Sequence, residues 1–121
     1  MFFTNGYLKT LNPNSDQHVK SFYGKAEVEK DNDSTCEVLY SYDIPVLGYC
    51  AAKFYRLYDF SLYQFWSSLM GHHINSYVTY HDKEMDEQTF FNLPLTERTD
   101  FDKCVRKAQQ IFKKNQNRLN S

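Results

Sequence analysis

The sequence predicts an α+β domain: an antiparallel sheet of three to four strands packed against two helices, one of them a C-terminal amphipathic helix. Three observations carry this. Apolar and polar residues alternate with period two over 22–29 and again over 36–42, with turn formers between them. Leu69, Met70, His73, Ile74, Tyr77 and Val78 then recur at helical spacing. Finally, Phe101, Cys104, Val105, Ala108, Ile111 and Phe112 form one stripe of a longer helix whose opposite face is cationic.

Taken in order, the first residues hold Asn5-Gly6, Asn12-Pro13-Asn14 and Ser15-Asp16, so 1–19 is expected as an irregular or short-strand arm. Phe22, Gly24, Ala26 and Val28 alternate with Tyr23, Lys25, Glu27 and Glu29, the pattern of a strand with one wet face. Asp31-Asn32-Asp33-Ser34 turns the chain into Cys36–Tyr42, a second strand pairing antiparallel with the first. Pro45 interrupts, and the run from Val46 to about Tyr58 gives a third strand, with a kink near Ala51-Ala52 that opens a fourth.

Ser67-Ser68 offers an N-cap for a helix at about 67–80, and 82–93 has the spacing of a short acidic helix ended by Pro94. Thr99 caps a last helix at about 99–117, with Asp100 and Asp102 at its start and cations toward its end, as the helix dipole favours. The reading is one domain of residues 1–121: arm 1–19, sheet 20–66, helical part 67–121. The expected core is Phe22, Val28, Val38, Tyr40, Val46, Ile74, Tyr77, Val105, Ile111 and Phe112.

Composition bounds what such a domain does. In 121 residues there are 10 Tyr, 10 Phe and 1 Trp, enough aromatic area for a core without disulfides. No apolar run reaches the roughly 20 residues of a bilayer helix, and the start lacks the pattern of a secretory leader, so a soluble, cytoplasmic protein with no membrane partner is expected. The net charge of −1 hides a division: 1–60 carry −2, 61–100 carry −4 and 101–121 carry +5. A charged partner would meet an acidic middle or a basic tail.

Little points to catalysis. His18, His72, His73 and His81 stand in no metal-binding spacing, and adjacent residues on a helix point about 100° apart. His73 falls on the apolar stripe and reads as a hydrogen-bonded near-core histidine, with His72 more exposed. Cys36, Cys50 and Cys104 are odd in number, far apart in sequence and without CxxC spacing, so they read as reduced core or surface thiols. The four glycines form no phosphate loop and no nucleophile elbow. The expectation is a protein that is not an enzyme and takes no cofactor and no metal.

Binding features are stronger. The ladder from Tyr40 to Trp66 can stack bases or serve a core and a protein-facing surface; with only Lys53 and Arg56 as cations across it, electrostatics favour the second. Within it, Tyr58, Tyr63 and Trp66 are candidate protein anchors. Asp82, Glu84, Asp86, Glu87, Glu97 and Asp100 form an acidic stretch that would either imitate phosphates on a basic groove or lie as a solvated loop. Lys103, Arg106, Lys107, Lys113, Lys114 and Arg118 offer a basic helix face for nucleic acid, or a solvated face.

Three segments together carry a resemblance: Ser21-Phe22-Tyr23-Gly24-Lys25-Ala26, then Leu39-Tyr40-Ser41-Tyr42-Asp43-Ile44-Pro45-Val46, then Trp66-Ser67-Ser68-Leu69-Met70-Gly71-His72-His73-Ile74-Asn75-Ser76-Tyr77. Residues 20–78 resemble a family of small proteins carried by phages, plasmids and other mobile elements of Gram-positive bacteria, patterned SFYGKA, LySYdTxVa and TTxRHIxxF. Leu69, Met70 and His72 stand where that family has two threonines and an arginine, whereas His73, Ile74 and Asn75 keep the pattern.

The resemblance implies a mobile-element setting without an assigned activity. By analogy of setting, the expected function is a non-enzymatic inhibitor of a host defence factor, an anti-CRISPR protein acting on an effector nuclease such as Cas9. Asp82, Glu84, Asp86, Glu87, Tyr58, Tyr63 and Trp66 would make the contact. The alternative is a small nucleic-acid-binding or regulatory protein using the basic C-terminal helix. A homodimer is compatible with either.

Overall fold

The structure is a computed structural model describing residues 2–11, 26–57 and 68–119. Its strands are β1 (Gly6–Thr10), β2 (Ala26–Asp31), β3 (Glu37–Ser41), β4 (Ile44–Cys50) and β5 (Lys53–Arg56), and its helices α1 (Ser68–Tyr80), α2 (Glu87–Asn92) and α3 (Arg98–Leu119). The strands form one antiparallel meander in the order β1-β2-β3-β4-β5. This is the α+β class read from the sequence, with a fifth strand, and with the short helix read over 82–93 present as α2 beside the two main helices.

The extra strand comes from the arm. Gly6–Thr10 pairs with β2 from Gly6↔Asp31 to Thr10↔Glu27, so for this stretch of the arm the short-strand alternative holds and the irregular one does not. Asn5-Gly6 starts the strand instead of preventing it. Gly6 is required there because a Cβ would lie 2.9 Å from the Phe3 Cβ and 3.0 Å from Glu29 Oε2.

Turn geometry makes the remaining hairpins. Tyr42 and Asp43 have φ of 52° and 65°, and Ala51 and Ala52 have 53° and 63°. Two consecutive left-handed residues give the tight hairpin whose twist matches the strands. The Ala51-Ala52 kink is therefore a full reversal, and Tyr42 turns the chain instead of ending the strand read over 36–42. Pro45 lies inside β4 and does not end it. The register passes from Leu39↔Leu47 to Tyr40↔Pro45 and skips Val46, a bulge at which a residue without an N–H is tolerated.

Both faces of the sheet are covered over β2–β4, whereas β1 is mostly exposed, so the single wet face read from the alternation is not found for β2. On one face Val28, Leu39, Leu47, Ile74, Tyr77, Val78, Met85 and Phe90 pack beneath α1 and α2. On the other, Phe3, Cys36, Val38, Cys50, Phe101 and Val105 pack beneath α3 and the first residues. Gly48 makes room for Phe101, whose ring carbon would come within 2.6 Å of a Cβ. Glu29, predicted wet, is fully buried and accepts hydrogen bonds from Phe2 N (3.0 Å), Phe3 N (2.9 Å) and the Tyr40 hydroxyl (2.7 Å).

Of the expected core, Val28, Val38, Val46, Ile74, Tyr77 and Val105 are buried, Tyr40 and Phe112 are half-buried, and Phe22 lies outside the described residues. Ile111 is 52% exposed and is not core. The reason is helix length. Gln109 Nε2 donates to Asp31 Oδ2 (2.9 Å) at the β2–β3 turn, and from Gln110 to Arg118 every residue but Phe112 is exposed. The helix also starts one residue early: Glu97 O accepts from Asp100 N and Phe101 N (both 3.0 Å), leaving Thr99 inside the first turn. The candidate cap Ser67 and the strand residues read at 22–25 fall outside the described residues.

Candidate functional site

A connected set of ionisable groups gathers among the described residues where α1 packs on β3. Glu37, Leu39 and Ser41 share the strand face toward α1 by period two, and His73, Tyr77 and His81 follow one another along α1 and its cap by period four. These two rows meet in contrary directions. Ser41 Oγ lies 2.8 Å from His73 Nδ1, and Glu37 Oε1 accepts from the Tyr77 hydroxyl at 2.7 Å and lies 2.8 Å from His81 Nε2. His73 is thus the buried, hydrogen-bonded histidine expected; His72 is half-buried.

Lys30 completes the group from β2. It is the cross-strand partner of Glu37, with Nζ 3.1 Å from Oε2, and its ammonium also lies over the Tyr80 ring at 5.3 Å. Burial pushes the Glu37 carboxyl up, but the bonds from Tyr77, His81 and Lys30 and the Lys30 charge outweigh it and hold the carboxyl below its usual range. Burial lowers Lys30, and the Glu37 bond and charge more than reverse it, so the ammonium is held above its usual range. Burial, then the Glu37 charge, drives the Tyr77 phenol far up.

Aromatic rings fix His81. It stacks on Tyr49 at 4.1 Å and 19°, with Phe54, Tyr77 and Tyr80 edge-on around it. Its place at the end of α1 is set by a Schellman cap: Asp82 N donates to Thr79 O (2.9 Å) and Lys83 N to Val78 O (2.9 Å), with Asp82 left-handed at φ 57°.

Beside this group opens a cleft of about 260 Å³ whose wall includes Lys9, Leu11, Val28, Lys30, Tyr77 and Tyr80. Both Glu37 oxygens are occupied by the protein's own donors, so the carboxylate organises the wall and is not poised to take a proton from a ligand.

The sequence reading did not single out this group. Its signal was available in Glu37, a charged residue in phase with the buried positions Leu39 and Ser41. Lys30, Tyr77 and His81 come from two other elements, and nothing local links them to Glu37.

The acidic candidates lie next to it. Asp82, Glu84, Asp86 and Glu87 are all exposed, on the α1–α2 loop and the start of α2. Two of them also shape the chain: Asp82 is the left-handed cap residue, and Asp86 caps α2 by accepting from Thr89 N at 2.7 Å. None of the four has an ion-pair partner among the described residues. Tyr58, Tyr63 and Trp66 lie outside the described residues.

The basic candidates form the outer face of α3. Lys103, Arg106, Lys107, Lys113, Lys114 and Arg118 are exposed; Lys103 is 4.0 Å from Asp100, and Arg106 Nε donates to Asp102 O at 3.4 Å. The structure does not bring acidic and basic candidates into one site. Among the described residues, no three His, Cys, Asp or Glu converge to hold a metal ion, and no helix is long and apolar enough to cross a membrane. No family model matches the chain, and no curated protein or solved structure matches it.

Proposed function

We propose that the chain is a non-enzymatic inhibitor from a mobile element that binds a host defence factor, with a CRISPR effector nuclease as the partner class, through the acidic α1–α2 ridge. One observation carries this reading: Asp82, Glu84, Asp86 and Glu87 present exposed negative charge, with no ion-pair partner among the described residues, on and beside a loop whose two ends are fixed by helix caps. A loop held in this way loses little conformational entropy on docking. Its charge suits a groove built to receive phosphates. Tyr80, 62% exposed at the ridge, supplies an aromatic anchor.

The test is inhibition of target-DNA cleavage by a purified effector. Glu84→Lys with Glu87→Lys spares the capping residues and is expected to weaken inhibition at least tenfold while leaving the thermal melt unchanged. Wild-type protein that neither inhibits nor is captured by effectors sinks the reading.

A second reading rests on the exposed end of α3, where Lys107, Lys113 and Lys114 face solvent. DNA binding that falls with salt at a slope of about −3 in the logarithms, and vanishes on reversing these three lysines to glutamate, would favour a nucleic-acid role instead.

A further inference from the structure

Cys36 and Cys50, far apart in sequence and each 1% exposed, meet across neighbouring strands with their sulfurs 3.0 Å apart. The ladder explains the meeting. Glu37 faces Tyr49, so one step along Cys36 faces Cys50. The Cys36 carbonyl accepts from Asp31 N at 3.1 Å, which turns its main-chain polar groups toward β2 and away from β4. The pair is therefore of the non-hydrogen-bonded kind, in which opposed Cα atoms approach to about 4.5 Å. That lies within the span a disulfide bridges, roughly 4.4–6.8 Å, and the sulfurs need to close by only about 1 Å to bond.

The third thiol is close by. Cys104 of α3 is half-buried against the cluster that contains Cys36 and Cys50, and it adjoins the Tyr55 hydroxyl. All three cysteines thus share one face of the sheet, with one of them reachable from outside.

We infer that Cys36 and Cys50 are a disulfide-forming pair, oxidised by low-molecular-weight disulfides that enter through Cys104. The Cys104 thiolate attacks such a disulfide, forming a mixed disulfide and releasing one small thiolate. The Cys50 thiolate displaces the second small thiolate from Cys104, giving a Cys50–Cys104 bond. The Cys36 thiolate attacks the Cys50 sulfur, forming the Cys36–Cys50 bond and freeing Cys104. Two protein thiols are oxidised, one small disulfide is reduced, and the protons of Cys36 and Cys50 leave on the two small thiols. The shared contact holds the Cys36 thiol below its ordinary range and, with burial, pushes the Cys50 thiol up, so Cys50 attacks Cys104 as its proton passes to the Cys36 sulfur 3.0 Å away, and Cys36 gives that proton to the released small thiolate before it closes the final bond. The bond would lock β3 to β4 one residue from Glu37 and Tyr49, the two side chains that hold His81.

The test uses the native wild-type protein with oxidised glutathione as the probe, followed by alkylation, trypsin and mass spectrometry. Both cysteines fall in one tryptic peptide, residues 31–53. The expected result is a loss of about 2 Da in that peptide, with Cys36 and Cys50 both protected and Cys104 still alkylated. Full alkylation of all three, or a final bond that includes Cys104, overturns the pairing. Cys104→Ser is expected to reach the same product at least tenfold more slowly; an unchanged rate overturns its part as the entry thiol.

Discussion

Glu37 shows how a single buried charge is kept. It is 8% exposed and survives there because Lys30, Tyr77 and His81 supply donors to both its oxygens. Glu37→Gln leaves Lys30 without its counter-charge and is expected to lower stability by about 2–3 kcal/mol in urea unfolding. Because the native carboxyl sits below its ordinary range, its stabilisation is complete at neutral pH and is lost as pH falls below the carboxylate range, so the glutamine variant should lose less stability on acidification. His73 acts in a separate window. Burial, then the nearby His72, depresses it to about 4 from 6.5, so between those values the unfolded chain takes up a proton that the native imidazole refuses. Stability should therefore drop as pH falls from 6.5 toward 4, by somewhat over 1 kcal/mol per pH unit. Urea midpoints at pH 7 and 5.5 check this: His73→Asn should remove most of the slope, and an equal slope in both proteins would refute the assignment.

At the scale of elements, turns and caps do the specifying. The β4–β5 hairpin places two alanines in the left-handed region, at a cost on the order of 1 kcal/mol each that Asn and Gly avoid. Replacing Ala51-Ala52 by Asn-Gly should raise stability by about 1 kcal/mol or more, read from thermal melts; a loss would mean that the turn is not of this type. The kink was legible because Ala51-Ala52 breaks a run of strand formers. β1 was legible only as one of two alternatives, since Asn5-Gly6 reads equally as a loop or as the start of a strand, and only pairing with β2 decides between them. The α1–α2 loop joins structure to function. Asp82 and Asp86 were read as contact residues and also hold the loop's two ends, so Glu84 and Glu87 are the substitutions that test binding alone.

The whole molecule is a sheet with a separate core on each face. Neighbouring residues Val38 and Leu39 of β3 point into opposite cores, which couples the two through one backbone. Phe90→Ala and Phe101→Ala, one in each core, should each cost about 3–5 kcal/mol while leaving a single transition in which circular dichroism and fluorescence coincide. Two resolved transitions would separate the faces. The sequence by itself determined the α+β class, the β2–β3–β4 succession, the three helical segments and the division of charge between ridge and tail, because periodicity, caps and net charge are local properties. Only the tertiary structure decided that both faces of β2–β4 are covered, that α3 outruns the sheet at Gln109 and exposes Ile111, and that Lys30, Glu37, Tyr77 and His81 meet while Cys36 faces Cys50. Alternation along a strand records that its faces differ, but what covers each face and which distant residues meet there are fixed by strand register and helix placement, which no short stretch of chain contains.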